Sequence, residues 1–426
     1  MTSFSLIAKN TFYQIAGKIV SAGCGVLTIA ILARYLGPSG LGDYITVTAY
    51  VLLFANLADW GLSIIASREA IKNKKDEETI FGNIVVIRLL LTVFALLTAV
   101  LLSFVAGYSS TVKTGIAVSG FALVFISIKT SAGMIFLAKE KLGLNAVSEA
   151  ITGITTLLGT GFLIFLRAPL VLILAVFPTA YFFAAVFAVL SAKTLVSFNF
   201  KFDRQISKTI IKESLPMGAL LLLSTIYTRI DIQLLNLLPL PAGQSPSAAT
   251  GYYGLAYKFN DLLVIFAAYL MNAVFPSLTL ALEKLKNGAS FQGKKDLFIL
   301  FRKIGLILAV TGISMAVIIS FFAPIIIGLI AGDKFSPAIF SLRILIWATA
   351  ISYLNHLTGY FLVAAGKQKM SVVIAFFCLF FNIVANLYAI PRWSFLGAAF
   401  ITVMTEGLAL GLTSYVTIGF LRKNFK

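Results

Sequence analysis

Apolar residues run along this chain in long blocks, separated by short stretches rich in glycine, proline and lysine. A helix needs about 20 consecutive apolar residues to cross about 30 Å of hydrocarbon. On that measure the blocks predict twelve membrane-spanning helices, at 10–35, 41–66, 83–106, 114–138, 147–166, 170–192, 214–238, 252–282, 304–331, 338–365, 371–390 and 396–419. Pro38, Pro169, Pro239, Pro241, Pro337 and Pro391 fall at predicted helix ends, where a residue without a backbone N–H is tolerated. The tightest connection is Arg167-Ala168-Pro169.

Composition agrees with the pattern. Of 426 residues, 59% are hydrophobic and 12% charged, and mean hydropathy is +0.98. Soluble domains are about 45–50% apolar and about 25% charged, so a soluble enzyme or a nucleic-acid-binding module is excluded. Twelve spans consume about 240 residues at about 20 each, which leaves no room for a sizeable soluble domain. The expected fold class is an all-α polytopic membrane protein.

The net charge of +18 is then a topology signal. With the N-terminus placed in the cytoplasm, 23 lysines and arginines fall in cytoplasmic segments, against five outside: Arg34, Lys113, Arg167, Lys334 and Arg392. Excess Lys and Arg mark the cytoplasmic side, so both termini are expected there, in a cytoplasmic (inner) membrane. The first apolar block starts near Asn10 and passes Leu32, longer than the core of a cleavable signal, so it is expected to stay as a span. Cys24 and Cys378 lie inside apolar blocks, and no disulfide framework is implied.

A faint internal repeat divides the chain. Gly42-Asp43-Tyr44 opens the second predicted span and Gly251-Tyr252-Tyr253 the eighth. Phe136-Leu137-Ala138-Lys139-Glu140-Lys141 closes the fourth, and Ala364-Ala365-Gly366-Lys367-Gln368-Lys369 the tenth. Six spans are an even number, so the repeats run parallel, related by a pseudo-twofold along the membrane normal. The expected organisation is an N-lobe at 1–192, a basic cytoplasmic linker at 193–213 and a C-lobe at 214–426.

Ionisable residues at depth are costly and normally face a cavity or a partner. Arg88 and Arg343 sit about five residues from predicted span ends, or about 7 Å, within reach of the headgroups. Lys18, Lys129, Arg229 and Lys258 lie about 10–14 Å deep and are the candidate substrate-binding cations. Asn10, Gln14, Lys18, Ser21, Gly25 and Thr28 share one helical face, as do Thr225, Arg229, Gln233 and Asn236. Facing stripes would line a wet cationic cleft; the alternative is that they join helices to one another. Lys129 has no carboxylate three or four residues away, so its partner is on another helix or is a ligand. Lys258 and Asp261, three apart, can neutralise each other.

Asp59, Asp231, Asp261 and Glu406 are the buried acids, read either as carriers of a coupling proton or Na⁺ or as counter-charges to the cations. Asp231 points to a different face from Arg229. His356, Asn382 and Asn386 are expected to be hydrogen-bonded packing groups. There is no phosphate loop, no His/Cys metal set and no nucleophile with a base, so neither an enzyme nor a cofactor is expected.

Several motifs carry a family resemblance. Ala33-Arg34-Tyr35-Leu36-Gly37-Pro38-Ser39-Gly40-Leu41-Gly42-Asp43-Tyr44 resembles the first outer loop of polysaccharide-transport flippases of the Wzx type. Asp59-Trp60-Gly61-Leu62 with Ser67-Arg68-Glu69 is similar to the end of their second helix. Gly251-Tyr252-Tyr253 with Ala256-Tyr257-Lys258, and Phe275-Pro276-Ser277-Leu278, are similar to the start and end of their eighth. Asn386 to Pro391, then Gly397-Ala398-Ala399 and Glu406, resemble the last two.

The resemblance implies the multidrug/oligosaccharidyl-lipid/polysaccharide exporter fold, with two six-helix lobes around a central cavity. It implies an undecaprenyl-diphosphate-linked oligosaccharide (an O-antigen, capsule or exopolysaccharide repeat unit) moved from the inner to the outer leaflet. Membrane lipid, the glycan polymerase and the chain-length machinery are the partners it suggests, and a monomer suffices because both lobes are in one chain. Cavity cations take the diphosphate in this family; of the four candidates, Lys258 alone lies inside a resembling motif. A drug or cation antiporter of the same fold would need an acidic cavity, whereas a peptidoglycan lipid-precursor flippase would share the anionic chemistry. A polymerase or ligase is the remaining reading.

Overall fold

The computed structural model describes residues 4–63, 65, 77–196, 203–286 and 291–425. Ser67-Arg68-Glu69, most of the basic segment after the second span, and 197–202 of the expected linker lie outside the described residues. So does the side chain of Asn10.

Apart from a single 3₁₀ turn at Asp333–Phe335, the regular structure among the described residues is α-helical. The helices are α1 (Phe4–Asp59), α2 (Glu77–Val105), α3 (Ser110–Gly120), α4 (Ala122–Ala138), α5 (Leu142–Phe165) and α6 (Leu170–Lys193). They continue with α7 (Arg204–Leu237), α8 (Pro246–Lys286), α9 (Phe291–Ala331), α10 (Ala338–Ala364) and α11 (Gln368–Phe425). Helices suit this composition because hydrocarbon offers the backbone no hydrogen-bond partner, so each segment must satisfy its own.

Ten stretches among the described residues are long and apolar enough to cross a membrane, with α3 and α4 forming one. Two are double length: 44 residues in α1 and 55 in α11, about 66 and 83 Å at 1.5 Å per residue. Each is broken near its middle. In α1 the break is Gly37 (φ 66°, ψ −175°), a conformation open to glycine, and Pro38 follows as the start of the next helical run. In α11 it is Ser394 (φ 51°, ψ −136°), three residues after Pro391. A side chain in that region is strained, and Ser394 is held there by burial, with 1% of its surface exposed. Each break turns one long helix into two passes, giving the twelve expected.

Several helices outrun their predicted bounds. The predicted third span began at 83, but α2 starts at Glu77. Arg88 is eleven residues from the helix start and 1% exposed, enclosed by protein and not reaching for the headgroups. Similarly, α7 begins inside the expected linker. Asp203 Oδ1 accepts from the backbone N–H groups of Gln205 and Ile206 (2.8 and 2.9 Å), capping the helix. The Asp203 N–H and the Ser207 hydroxyl both donate to Asn83 Oδ1 at 2.8 Å, docking this segment on α2.

The chain forms two compact units, Met1–Thr225 and Ile226–Lys426. Both bury polar side chains and leave many large apolar ones exposed. On α2, Leu90, Phe94, Leu97 and Leu101 make an exposed stripe at helical spacing, suited to acyl chains. The opposite face buries Ile84, Arg88, Thr92, Ala95 and Ala99. In the first unit one core cluster gathers residues of α2, α4 and α6 around Phe81, Ile135, Phe136 and Ala192. In the second, Met271, Leu278, Leu308, Tyr353 and Phe361 join α8, α9 and α10.

Candidate functional site

In the first unit the buried charges are paired. Asp59 ends the trailing half of α1, where Trp60 and Gly61 turn the chain through positive φ. That turn fixes the carboxylate against α2. Arg88 Nη2 donates to Asp59 Oδ1 at 2.7 Å and shares the Ser63 hydroxyl at 2.8 Å, while Nη1 donates to Ser131 Oγ at 2.7 Å. Arg88 was expected at the headgroups; it is instead the counter-charge of Asp59.

Lys129 has its partner on another helix, one of the two outcomes its spacing left open. Its ammonium donates to Glu149 Oε1 on α5 at 2.8 Å and to Thr152 Oγ1 at 3.4 Å. It also lies 5.3 Å from the centroid of the Tyr181 ring, a cation–π distance. Lys18 differs. It is exposed, and no described residue pairs with it. Of its polar stripe, Thr28 is buried and returns its hydroxyl to the Cys24 carbonyl. Ser21 lies where a Cβ on Gly153 of α5 would come within 3.0 Å of its Cα. That part of the stripe joins helices.

The second unit is arranged otherwise. Arg229 on α7 grips Asp261 on α8 with both terminal nitrogens, Nη1 to Oδ2 and Nη2 to Oδ1, each at 2.9 Å. Such forked pairs are the stronger class of ion pair. Lys258 Nζ is 4.0 Å from Asp261 Oδ2, at the edge of ion-pair range. The spacing allowed Lys258 either to pair with Asp261 or to meet a ligand; arginine takes that carboxylate first. Two cations thus share one acid, and the side chains remain 27% (Arg229), 28% (Asp261) and 41% (Lys258) exposed. The Tyr257 ring lies 5.3 Å from the guanidinium.

Asp231 and Glu406 have neutral partners only, and among the described residues no cation pairs with either. Tyr253 Oη and Thr402 Oγ1 donate to Asp231 Oδ2 at 2.8 and 2.9 Å, and Asn386 Nδ2 donates to Oδ1 at 2.8 Å. Asn386 Oδ1 is buried without a donor. Asn382 accepts from Asn386 on its own helical run at 3.2 Å and donates to Thr405, beyond the break at Ser394, at 3.3 Å. Glu406 accepts from Asn355 Nδ2 at 2.7 Å and Tyr227 Oη at 3.4 Å. His356 Nδ1 lies 2.8 Å from the Ser352 carbonyl, a packing group as expected. Sequence reasoning missed Glu149, Tyr227, Tyr253, Asn355 and Thr402 as partners. Each of these lies on a different helix from the group it meets, so helical spacing carried no signal for them.

Residues 7–281 match the protein family described as Polysaccharide biosynthesis protein. The chain belongs to this family. No curated protein matches it in sequence. Its fold is shared with solved structures of the multidrug/oligosaccharidyl-lipid/polysaccharide superfamily. A lipid II flippase, MurJ, in an inward closed conformation aligns with a TM-score of 0.73 at 14% identity, over 97% of this chain and 89% of that one. An inward-facing multidrug resistance MATE transporter aligns at 0.73 and 15%, over 93% and 96%. A mutant of the Vibrio cholerae MATE transporter VcmN aligns at 0.63 and 14%, over 98% and 99%. This member of the polysaccharide biosynthesis family is thus a multi-pass membrane protein with the fold of those transporters.

Proposed function

We propose that the protein is a flippase that carries an undecaprenyl-diphosphate-linked oligosaccharide, an O-antigen, capsule or exopolysaccharide repeat unit, from the inner to the outer leaflet. It works by alternating access of two six-helix lobes, in a cytoplasmic membrane with both termini inside. The observation that carries this reading is the Arg229–Asp261–Lys258 group, in which two half-exposed cations share one carboxylate. The surplus positive charge suits a diphosphate, whose oxygens accept charge-assisted hydrogen bonds and so replace water lost on entering the membrane. Lys18, exposed and without an ion partner, adds a second point of attraction. Lys129 has a lesser share, because Glu149 already neutralises it.

Asp231 and Glu406 serve as carriers of the coupling ion in this scheme. Around Asp231 the orphan Oδ1 of Asn386, the Thr402 hydroxyl and the carboxylate supply oxygen ligands for Na⁺, and a proton on Asp231 would serve equally. Asp59 and Asp261 balance charge. The same two cation-free acids favour one further reading, a drug or cation antiporter of the same fold. A peptidoglycan lipid-precursor flippase would use the same cations on a different glycan.

The test is glycan export in cells lacking their own flippase for that glycan. Wild-type protein restores surface glycan, and the double variant Lys18→Gln/Lys258→Gln, at matched membrane level, does not. Wild-type surface glycan from the double variant would defeat the proposal.

A further inference from the structure

A second polar feature lies in the first unit, on its acyl-facing side. A cavity of about 300 Å³ opens between α2, α4 and α6. Its walls include Val85, Leu89, Ile128 and Val189, its floor is Arg88, and Lys193 is at the end of α6. Leu89 at its edge is 39% exposed, and Leu90 and Leu190 beside it are 67% and 60% exposed, so the mouth opens toward lipid chains.

One cation at this cavity is unanswered, and the other is buried in its floor. Arg88 is 1% exposed, and its Nη1 and Nη2 are taken by Ser131, Asp59 and Ser63, yet its Nε–H has no acceptor among the described residues. Lys193, the last residue of α6, is exposed and no described residue pairs with it. Asp59 already neutralises Arg88, so the site offers one net positive charge, that of Lys193.

We infer that this cavity is a binding site for an anionic glycerophospholipid of the surrounding bilayer. The headgroup charge lies against Lys193, and the first chain methylenes rest on Val85, Leu89 and Val189. The volume is at the small end of ligand sites, about 300–1,000 Å³. It therefore takes the headgroup-proximal part of the lipid and leaves the chain ends in the bilayer. The apolar walls and lateral mouth argue against a free anion from water, which would gain nothing from them. The site is separate from the cations assigned to the transported lipid.

Native mass spectrometry of the full chain, purified into detergent with equal phosphatidylglycerol and phosphatidylcholine, tests the assignment. Wild-type protein should retain phosphatidylglycerol over phosphatidylcholine by about fivefold, the ratio given by one interfacial cation's about 1 kcal/mol. Lys193→Gln should remove that preference, and Val189→Trp, which fills the cavity, should remove one bound lipid altogether. Leu89→Trp, at the exposed edge, replaces it if Val189→Trp does not fold. Excess inorganic phosphate should not displace the lipid. Equal retention of both lipids by wild-type protein, unchanged retention in both variants, or displacement by phosphate would each overturn the proposal.

Discussion

The two units treat buried charge in opposite ways. In the first, among the described residues, two acids each hold a cation: Asp59 holds Arg88, and Glu149 holds Lys129. In the second, Arg229 and Lys258 compete for Asp261, while Asp231 and Glu406 are held by hydroxyls and amides. A closed pair is a structural device: opening it exposes an uncompensated charge to a poor solvent. A shared acid and two acids with neutral partners are still able to change partners. The first unit's charges therefore hold helices together, and the second unit's charges are chemically available.

The largest effect expected from this contrast is structural. Arg88→Met leaves Asp59 beside a missing partner and should cost about 3–5 kcal/mol, the usual penalty for breaking a buried pair. It would be seen as a collapse of the folded fraction in detergent. Adding Asp59→Asn should recover much of the loss; an Arg88→Met protein as stable as wild type would erase the contrast.

Next comes Asp231→Asn, which keeps the shape and removes the charge. It should leave the melting temperature near wild type and lower glycan export at least about tenfold, the result of losing about 1.4 kcal/mol or more in a transport step. Full export by this variant would remove Asp231 from the coupling scheme. A smaller loss is expected for Arg229→Lys, which cannot make the forked pair with Asp261. Export should fall about threefold to tenfold, from a difference of about 1 kcal/mol. The smallest effect is reserved for Lys18→Gln alone, within about twofold of wild type, because the second unit retains its surplus charge. If Lys18→Gln alone proved as damaging as Asp231→Asn, the division between the units would fail.

Much of the fold was legible because the membrane imposes a simple rule on the chain. Blocks of about 20 apolar residues must be helices, and Gly37-Pro38 and Pro391 marked where the double-length helices break. The pairing of charges was less legible, for a physical reason. Arg88–Asp59, Lys129–Glu149 and Arg229–Asp261 join residues 29, 20 and 32 positions apart, on different helices. Helical periodicity sees only neighbours three or four residues away. It therefore found Lys258–Asp261, the weaker claim on that acid, and could not find the stronger one. Arg88 was expected at the headgroups because spacing could not show Asp59 and Ser131 closing over it from other helices. Asn386, read as a hydrogen-bonded packing group, bonds Asp231 on α7.

The most direct measurement is leaflet exchange in proteoliposomes carrying an undecaprenyl-diphosphate oligosaccharide, read by the access of an external glycan-modifying reagent. Wild-type protein should expose the inner-leaflet pool, Lys18→Gln/Lys258→Gln should not, and both should take up no cationic drug. Protection of that pool with wild-type protein, together with drug uptake against a Na⁺ or proton gradient, would contradict the account.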